Sequence, residues 1–80
     1  MSTKINIIVS TNHVWATYST TICFKMRFTD EDSKAKAIQD AYATAFSYAL
    51  GFGAVLLSKH DFEKHLTDAD IFELLQDKIG

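Results

Sequence analysis

The stretch that decides the fold is residues 4–18, which read KINIIVSTNHVWATY. Ile5, Ile7 and Val9 recur at every second position, and this period is typical of a β-strand with one buried face. Thr11-Asn12 then predicts a tight turn, because asparagine tolerates positive φ angles. The alternation resumes after the turn, so the stretch predicts a β-hairpin.

The turn also predicts the register of this hairpin. A two-residue turn pairs Val9 with Val14, and it keeps the apolar residues of both strands on a common face. Residues 14–28 continue the alternation and are rich in β-branched and aromatic residues. They form either one long bent strand or two strands with a break near Ser19–Thr21. The pattern leaves both options open, and we favour the meander.

The next segment is predicted to be a long helix. Asp30 and its neighbours in residues 29–33 are typical of a helix start, because small polar and acidic side chains accept hydrogen bonds from free N–H groups. Residues 33–50 follow without a helix breaker. Gly51 is a natural residue to end the helix. The apolar positions recur every three or four residues and predict a stripe facing the sheet: Ala35, Ile38, Ala41, Tyr42, Ala45, Phe46, Ala49 and Leu50.

Three shorter segments follow this helix. Residues 52–57 are a continuous apolar run, too short for a helix, and predict a buried strand. Residues 58–65 predict a single capped turn. The sequence of residues 67–70, TDAD, is a stronger helix start. Residues 68–79 then place five apolar side chains on one helical face: Ile71, Phe72, Leu74, Leu75 and Ile79.

These elements predict one α+β domain over residues 1–80. The expected order is β-β-(β)-α-β-α, arranged as a small two-layer sandwich in which helices cover one face of a mostly antiparallel sheet of three to four strands. A chain of 80 residues has room for a single core. Its 48% apolar content excludes a disordered chain, and its single cysteine excludes an internal disulfide framework and a multi-cysteine zinc site.

Targeting signals are missing from the sequence. No apolar run approaches the roughly 20 residues of a membrane span, and the N-terminus lacks the apolar core of a signal peptide. A lone thiol without an export signal predicts a reducing, cytoplasmic location away from membranes. We expect the chain to be a complete small protein.

Charge is divided unevenly along the chain. Residues 1–29 contain three basic and no acidic residues, whereas residues 30–80 contain five basic and ten acidic residues, so a net charge of −2 combines +3 with −5. In the predicted register Ile8 lies opposite Trp15 on the outward face of the sheet. Aromatic residues and arginine are typical anchors of protein interfaces. The outward face therefore predicts a partner-binding site: Ile8, Trp15, Thr17, Lys25 and Arg27.

A second, acidic candidate surface lies in the C-terminal third of the chain. Its carboxylates are suited to a basic partner, and they are Asp61, Glu63, Asp68 and Asp70. The two at 68 and 70 also resemble the paired acids of a magnesium site, but a helix N-terminus already explains acidic residues there.

Other chemical constellations are weak. His60 and His65 are five residues apart, so a helix would turn them about 140° from each other, which argues against a metal site. Nucleophilic catalysis by Cys23 needs a positioned base, and the only histidine in the strand region, His13, is expected to be exposed opposite Ser10 at the turn. Gly51-Phe52-Gly53 lacks the remaining residues of a phosphate-binding loop. We therefore expect no enzyme, no metal and no cofactor.

Two functions remain, and no family resemblance favours either. The first is a non-catalytic protein that binds and inhibits or modulates a larger protein, as inhibitors, antitoxins and phage-type accessory proteins do; a homodimer across a two-fold axis belongs to the same hypothesis. The alternative is a single-stranded nucleic-acid-binding module that stacks a base on Trp15. If the C-terminal segment or a loop covers Trp15, the outward face serves neither function.

Overall fold

The structure is a computed structural model that describes residues 3–53 and 55–77. It confirms a small α+β fold built on a four-stranded sheet. The elements in chain order are β1 (Thr3–Val9), β2 (His13–Tyr18), β3 (Thr21–Arg27), α1 (Glu31–Phe52), β4 (Val55–Asp61) and α2 (Asp68–Asp77). The strand order across the sheet is β3-β2-β1-β4.

The first three strands form the predicted antiparallel meander. The register pairs Val9 with Val14 and Ile8 with Trp15, as the alternation predicts. A turn at residues 19–20 separates β2 from β3, so the two-strand interpretation of residues 14–28 is confirmed. Ser19 adopts a φ of 57°, the left-handed conformation that such a tight connection requires.

A β-bulge in β3 changes which face one residue occupies. Ala16 pairs with Phe24 whereas Thr17 pairs with Ile22, so Cys23 is an extra residue on the β3 side. The regular alternation places Ile22 on the same face as Phe24, and this prediction is wrong. The bulge turns Ile22 to the opposite face, where it packs near Trp15.

Helix α1 begins where the sequence predicts. The Asp30 side chain accepts a hydrogen bond from the Ser33 N–H at 2.8 Å, and the Ser33 hydroxyl oxygen accepts one from the Asp30 N–H. Ala37, Ala41 and Ala45 are buried against the sheet, because small side chains let the helix lie close to the strands. The helix continues past the predicted end to Phe52, and Gly53 with a φ of 93° follows it.

Strand β4 lies later in the chain than the apolar run predicts. It extends through Asp61, so the predicted single turn over residues 58–65 is wrong. Backbone pairing explains the difference, since residues 58–61 align in parallel with residues 6–9 of β1. The sheet is therefore mixed, with three antiparallel strands and one parallel edge strand.

The two helices lie on opposite faces of the sheet, so the prediction that helices cover one face is wrong. Helix α1 packs on the face that carries Ile5, Ile7 and Val9. On the other face, Ile8 and Trp15 form a second buried cluster with Leu66, Ile71 and Leu75. Strands β1 and β2 bear large apolar side chains on both faces, and burying both requires a layer on each side. Of the predicted α2 stripe, Ile79 lies outside the described residues.

Truncating Trp15 tests this second layer. Trp15 is completely buried, and removing a buried aromatic side chain costs about 3–5 kcal/mol. We expect Trp15→Ala to lose most of the free energy of unfolding of so small a domain, measured by urea denaturation with circular dichroism. Phe72→Ala, at a half-exposed position of α2, is the control with a small effect. Equal losses would contradict burial of Trp15 beneath α2.

Candidate interaction surfaces

The predicted partner-binding face is largely inside the molecule. Ile8, Trp15 and Thr17 are fully buried, whereas Lys25 and Arg27 on β3 are exposed. The three buried side chains cannot anchor a partner in this conformation, and their assignment to an exposed site is corrected. Helix α2 and the segment before it cover Trp15. This is the alternative in which the C-terminal segment or a loop hides the outward face.

Trp15 is held in place by a carboxylate that the sequence assigns to the acidic surface. The Trp15 indole Nε1–H donates to Asp68 Oδ1 at 3.1 Å, and Lys25 Nζ lies 3.0 Å from the same oxygen. These contacts, led by the hydrogen bond from Lys25, lower the pKa of Asp68. Asp68 therefore joins the first turn of α2 to strands β2 and β3.

The remaining acidic residues also divide by role. Asp70 Oδ2 accepts hydrogen bonds from the Thr67 N–H at 2.9 Å and the Thr67 hydroxyl at 3.1 Å, and these bonds lower the pKa of Asp70. Asp61 lies 3.4 Å from Lys59 Nζ in an exposed ion pair, and Glu63 is exposed. Of the four predicted acidic residues, two organise the start of α2 and two face solvent.

The structure separates the candidate catalytic groups. The Cys23 thiol donates to the Ala16 carbonyl oxygen at 3.3 Å and packs on the α1 side of the sheet. Burial raises the pKa of Cys23, which disfavours the reactive thiolate. His13 lies on the α2 side, with its ring centroid 5.3 Å from that of Trp15. A nucleophile and a base are therefore not brought together here.

The two histidines of the C-terminal half lie in different parts of the fold. His60 lies on β4, where its Nε2 is 3.2 Å from Oδ1 of the buried Asn6. His65 is exposed in the connection before α2. Within residues 3–53 and 55–77, no three metal-ligating side chains come close enough to hold an ion.

Sequence reasoning missed an exposed apolar surface on the other edge of the sheet. We define the β4–α1 surface as Phe46, Leu50, Leu56 and Leu57, which are 64, 86, 61 and 45% exposed. Counting roughly 150–200 Å² for each large side chain, the four together expose about 400–500 Å², and the three on the α1 side contribute about 300–400 Å² of it, within the range of functional patches on small proteins. Leu57 faces the α1 side of β4, and Leu56 faces the α2 side.

This surface is open because α1 does not reach across the whole sheet. The helix packs on β2, β3 and β1. Between α1 and β4 lies a hollow of about 220 Å³, with Phe46 and Leu57 at its sides and Ile5, Ala45 and Ala49 beside them. The sequence places Phe46 and Leu50 on the stripe facing the sheet, but the smaller alanines occupy the contact and leave these two on the shoulder of the helix.

Comparison with known proteins adds no identification. No protein-family model matches the chain, and neither a curated protein nor a solved structure shows significant similarity to it. Across the part of the chain that the structure describes, neither helix is long and apolar enough to cross a membrane.

Acidification is expected to destabilise the fold through His13. Burial lowers the pKa of His13 from its ordinary value of 6.5, and nearby Lys25 and Arg27 add to the effect. Because the unfolded chain then binds a proton more readily, the free energy of unfolding should fall as the pH drops through 6.5. Urea denaturation between pH 7.5 and 5 measures this slope. His13→Asn should flatten it, and an unchanged slope would contradict the assignment.

Thr17 offers an independent test of burial on the α2 side. Among the described residues its buried hydroxyl has no hydrogen-bond partner, and such a group costs about 1–3 kcal/mol. Thr17→Val keeps the shape of the side chain and removes the hydroxyl, so we expect the free energy of unfolding to rise by about 1 kcal/mol in the same assay. A marked loss of stability would show that the hydroxyl is satisfied in solution.

Proposed function

We propose that this chain is a non-catalytic protein that acts by binding a larger protein through the β4–α1 surface. The observation that supports the proposal is the combination of four exposed apolar side chains with an edge strand. Large exposed apolar patches mark interaction sites in proteins of this size. The separation of Cys23 from His13 supports a binding role over a catalytic one.

The two edges of the sheet differ in a way that favours β4. Strand β3 carries a bulge and two exposed cations, Lys25 and Arg27, and both features discourage pairing with another strand. Strand β4 pairs with β1 without a register shift, and its first half presents Leu56 and Leu57 to solvent. Only Lys59 and Asp61 at its far end are charged, and they neutralise each other.

The geometry favours an extended segment as the part of the partner that binds. A strand added to the outer edge of β4 would gain main-chain hydrogen bonds, and every second side chain would point toward the hollow beside Phe46. Apolar side chains at alternate positions fit this hollow best, since Phe46 and Leu57 flank it. Binding of this kind inhibits or modulates a larger protein by occupying one of its segments.

A single-stranded nucleic acid is a weaker candidate partner. Stacking of a base requires an exposed aromatic face, and Trp15 is buried beneath α2. Lys25 is paired with Asp68, which reduces the positive charge available to phosphates.

We infer a reducing, cytoplasmic setting from the single cysteine, Cys23, which is free.

Charge substitutions on α1 test the proposal directly. Phe46→Lys and Leu50→Lys change exposed helical positions, so they should leave the circular dichroism spectrum unchanged. In an interface, each new ammonium group would lose its hydration without gaining a partner, which disfavours binding. Partners captured by the wild-type chain are identified by mass spectrometry, purified, and titrated by calorimetry. We expect each variant to weaken the affinity at least tenfold.

Phe72→Lys is the matched control, because Phe72 is a partly exposed aromatic residue on α2, outside the surface. Hydrogen exchange should show protection of residues 55–61 when the partner binds. Equal affinity of the wild-type chain and both α1 variants would overturn the proposal.

A further inference from the structure

We propose that in the free protein a second copy of this chain occupies the β4–α1 surface, so that two β4 strands pair antiparallel across a two-fold axis. This inference rests on the proposed function, because it concerns regulation of the same surface. A larger partner would then bind by displacing the second copy. The joined sheet would have eight strands, with both α1 helices on one face and both α2 helices on the other.

The length of β4 gives this pairing a natural centre. The strand covers residues 55–61, so Ser58 is its midpoint. An antiparallel pair with the axis at Ser58 overlaps the full strand, and each outward main-chain group of one copy finds a partner in the other. At the axis, Ser58 of one copy faces Ser58 of the second copy. Because this side chain is small, the two identical residues do not clash.

Charges agree with this register. Leu57 of one copy lies opposite Lys59 of the second copy, and Leu56 lies opposite His60 of the second copy. No two like charges lie directly opposite each other, an arrangement that would destabilise a cross-strand pair, and the two Lys59 residues are diagonal neighbours across the axis. Each Lys59 also keeps the ion pair with Asp61 of its own chain, while its aliphatic stem covers the apolar residue across the axis.

The area is sufficient for a reversible dimer. A standard stable interface buries about 800 Å² on each partner. The β4–α1 surface supplies about 400–500 Å² of exposed apolar residues, and the main chain of a seven-residue edge strand adds to it. An area below that of a standard interface favours a weak association that a better-fitting partner can replace.

Oligomeric state in solution is the primary test. Sedimentation equilibrium of the full chain over a concentration series should give a monomer–dimer equilibrium. Leu57→Lys places a cation opposite Lys59 of the second copy, so we expect its dissociation constant to rise at least tenfold. Phe72→Lys should dimerise like the wild-type chain. A wild-type chain that remains monomeric up to millimolar concentration would overturn the inference.

Crosslinking tests the register without depending on Leu57. In a Cys23→Ala background, Ser58→Cys places two thiols across the axis within reach of a disulfide. Mild oxidation should convert this variant to a covalent dimer, whereas Ser47→Cys, on the exposed side of α1, should stay monomeric. Equal crosslinking of both variants would contradict pairing through β4.

The two proposals fail in different ways. A monomeric wild-type chain whose binding to a purified partner still depends on Phe46 and Leu50 overturns the dimer and leaves the proposed function intact. A dimer that dissociates in Leu57→Lys, together with partner binding that ignores the α1 variants, supports the dimer and overturns the function. If both hold, the Ser58→Cys disulfide should abolish binding of the partner, and reduction should restore it.

Discussion

The burial of β1 and β2 on both faces is the constraint on which the rest of the structure depends. Ile5, Ile7 and Val9 require one covering layer, and Ile8 and Trp15 require another. The part of this short chain that the structure describes contains two helices to supply these layers, and one of them packs on each face. Within residues 3–53 and 55–77, no further element covers the α1 side of β4. The exposed surface is thus a consequence of how a small number of elements serves a sheet that is apolar on both sides.

Much of the local structure follows from the sequence, because it depends on neighbouring residues. The hairpin register follows from the alternation around Thr11-Asn12, and the start of α1 follows from Asp30 and Ser33. No local sequence pattern predicts the bulge at Cys23, because one extra residue leaves the composition of β3 unchanged. The extension of β4 depends on a partner strand about fifty positions away, which local patterns do not contain.

The candidate site was harder to predict for a related reason. Which side chains are exposed depends on where each helix lies, and the alternation that identifies a strand cannot say what covers it. Trp15 was expected at the surface and is buried; Phe46 and Leu50 were expected in the core and are exposed. Phe46 and Leu50 are exposed because Ala41 and Ala45 pack closely on the sheet and so fix the rotation of α1 about its axis.

The parallel pairing of β1 with β4 has a consequence for folding. The meander joins strands that are adjacent in sequence, whereas Ile5 and Leu57 meet only after the whole of α1 has been placed. Contacts between distant segments form late, because closing a long loop costs chain entropy before the contact repays it. Strand β4 should therefore be the last strand to join the sheet. Until β4 pairs with it, the apolar strand β1 has an unprotected edge. Nascent chains are most prone to aggregate during this interval.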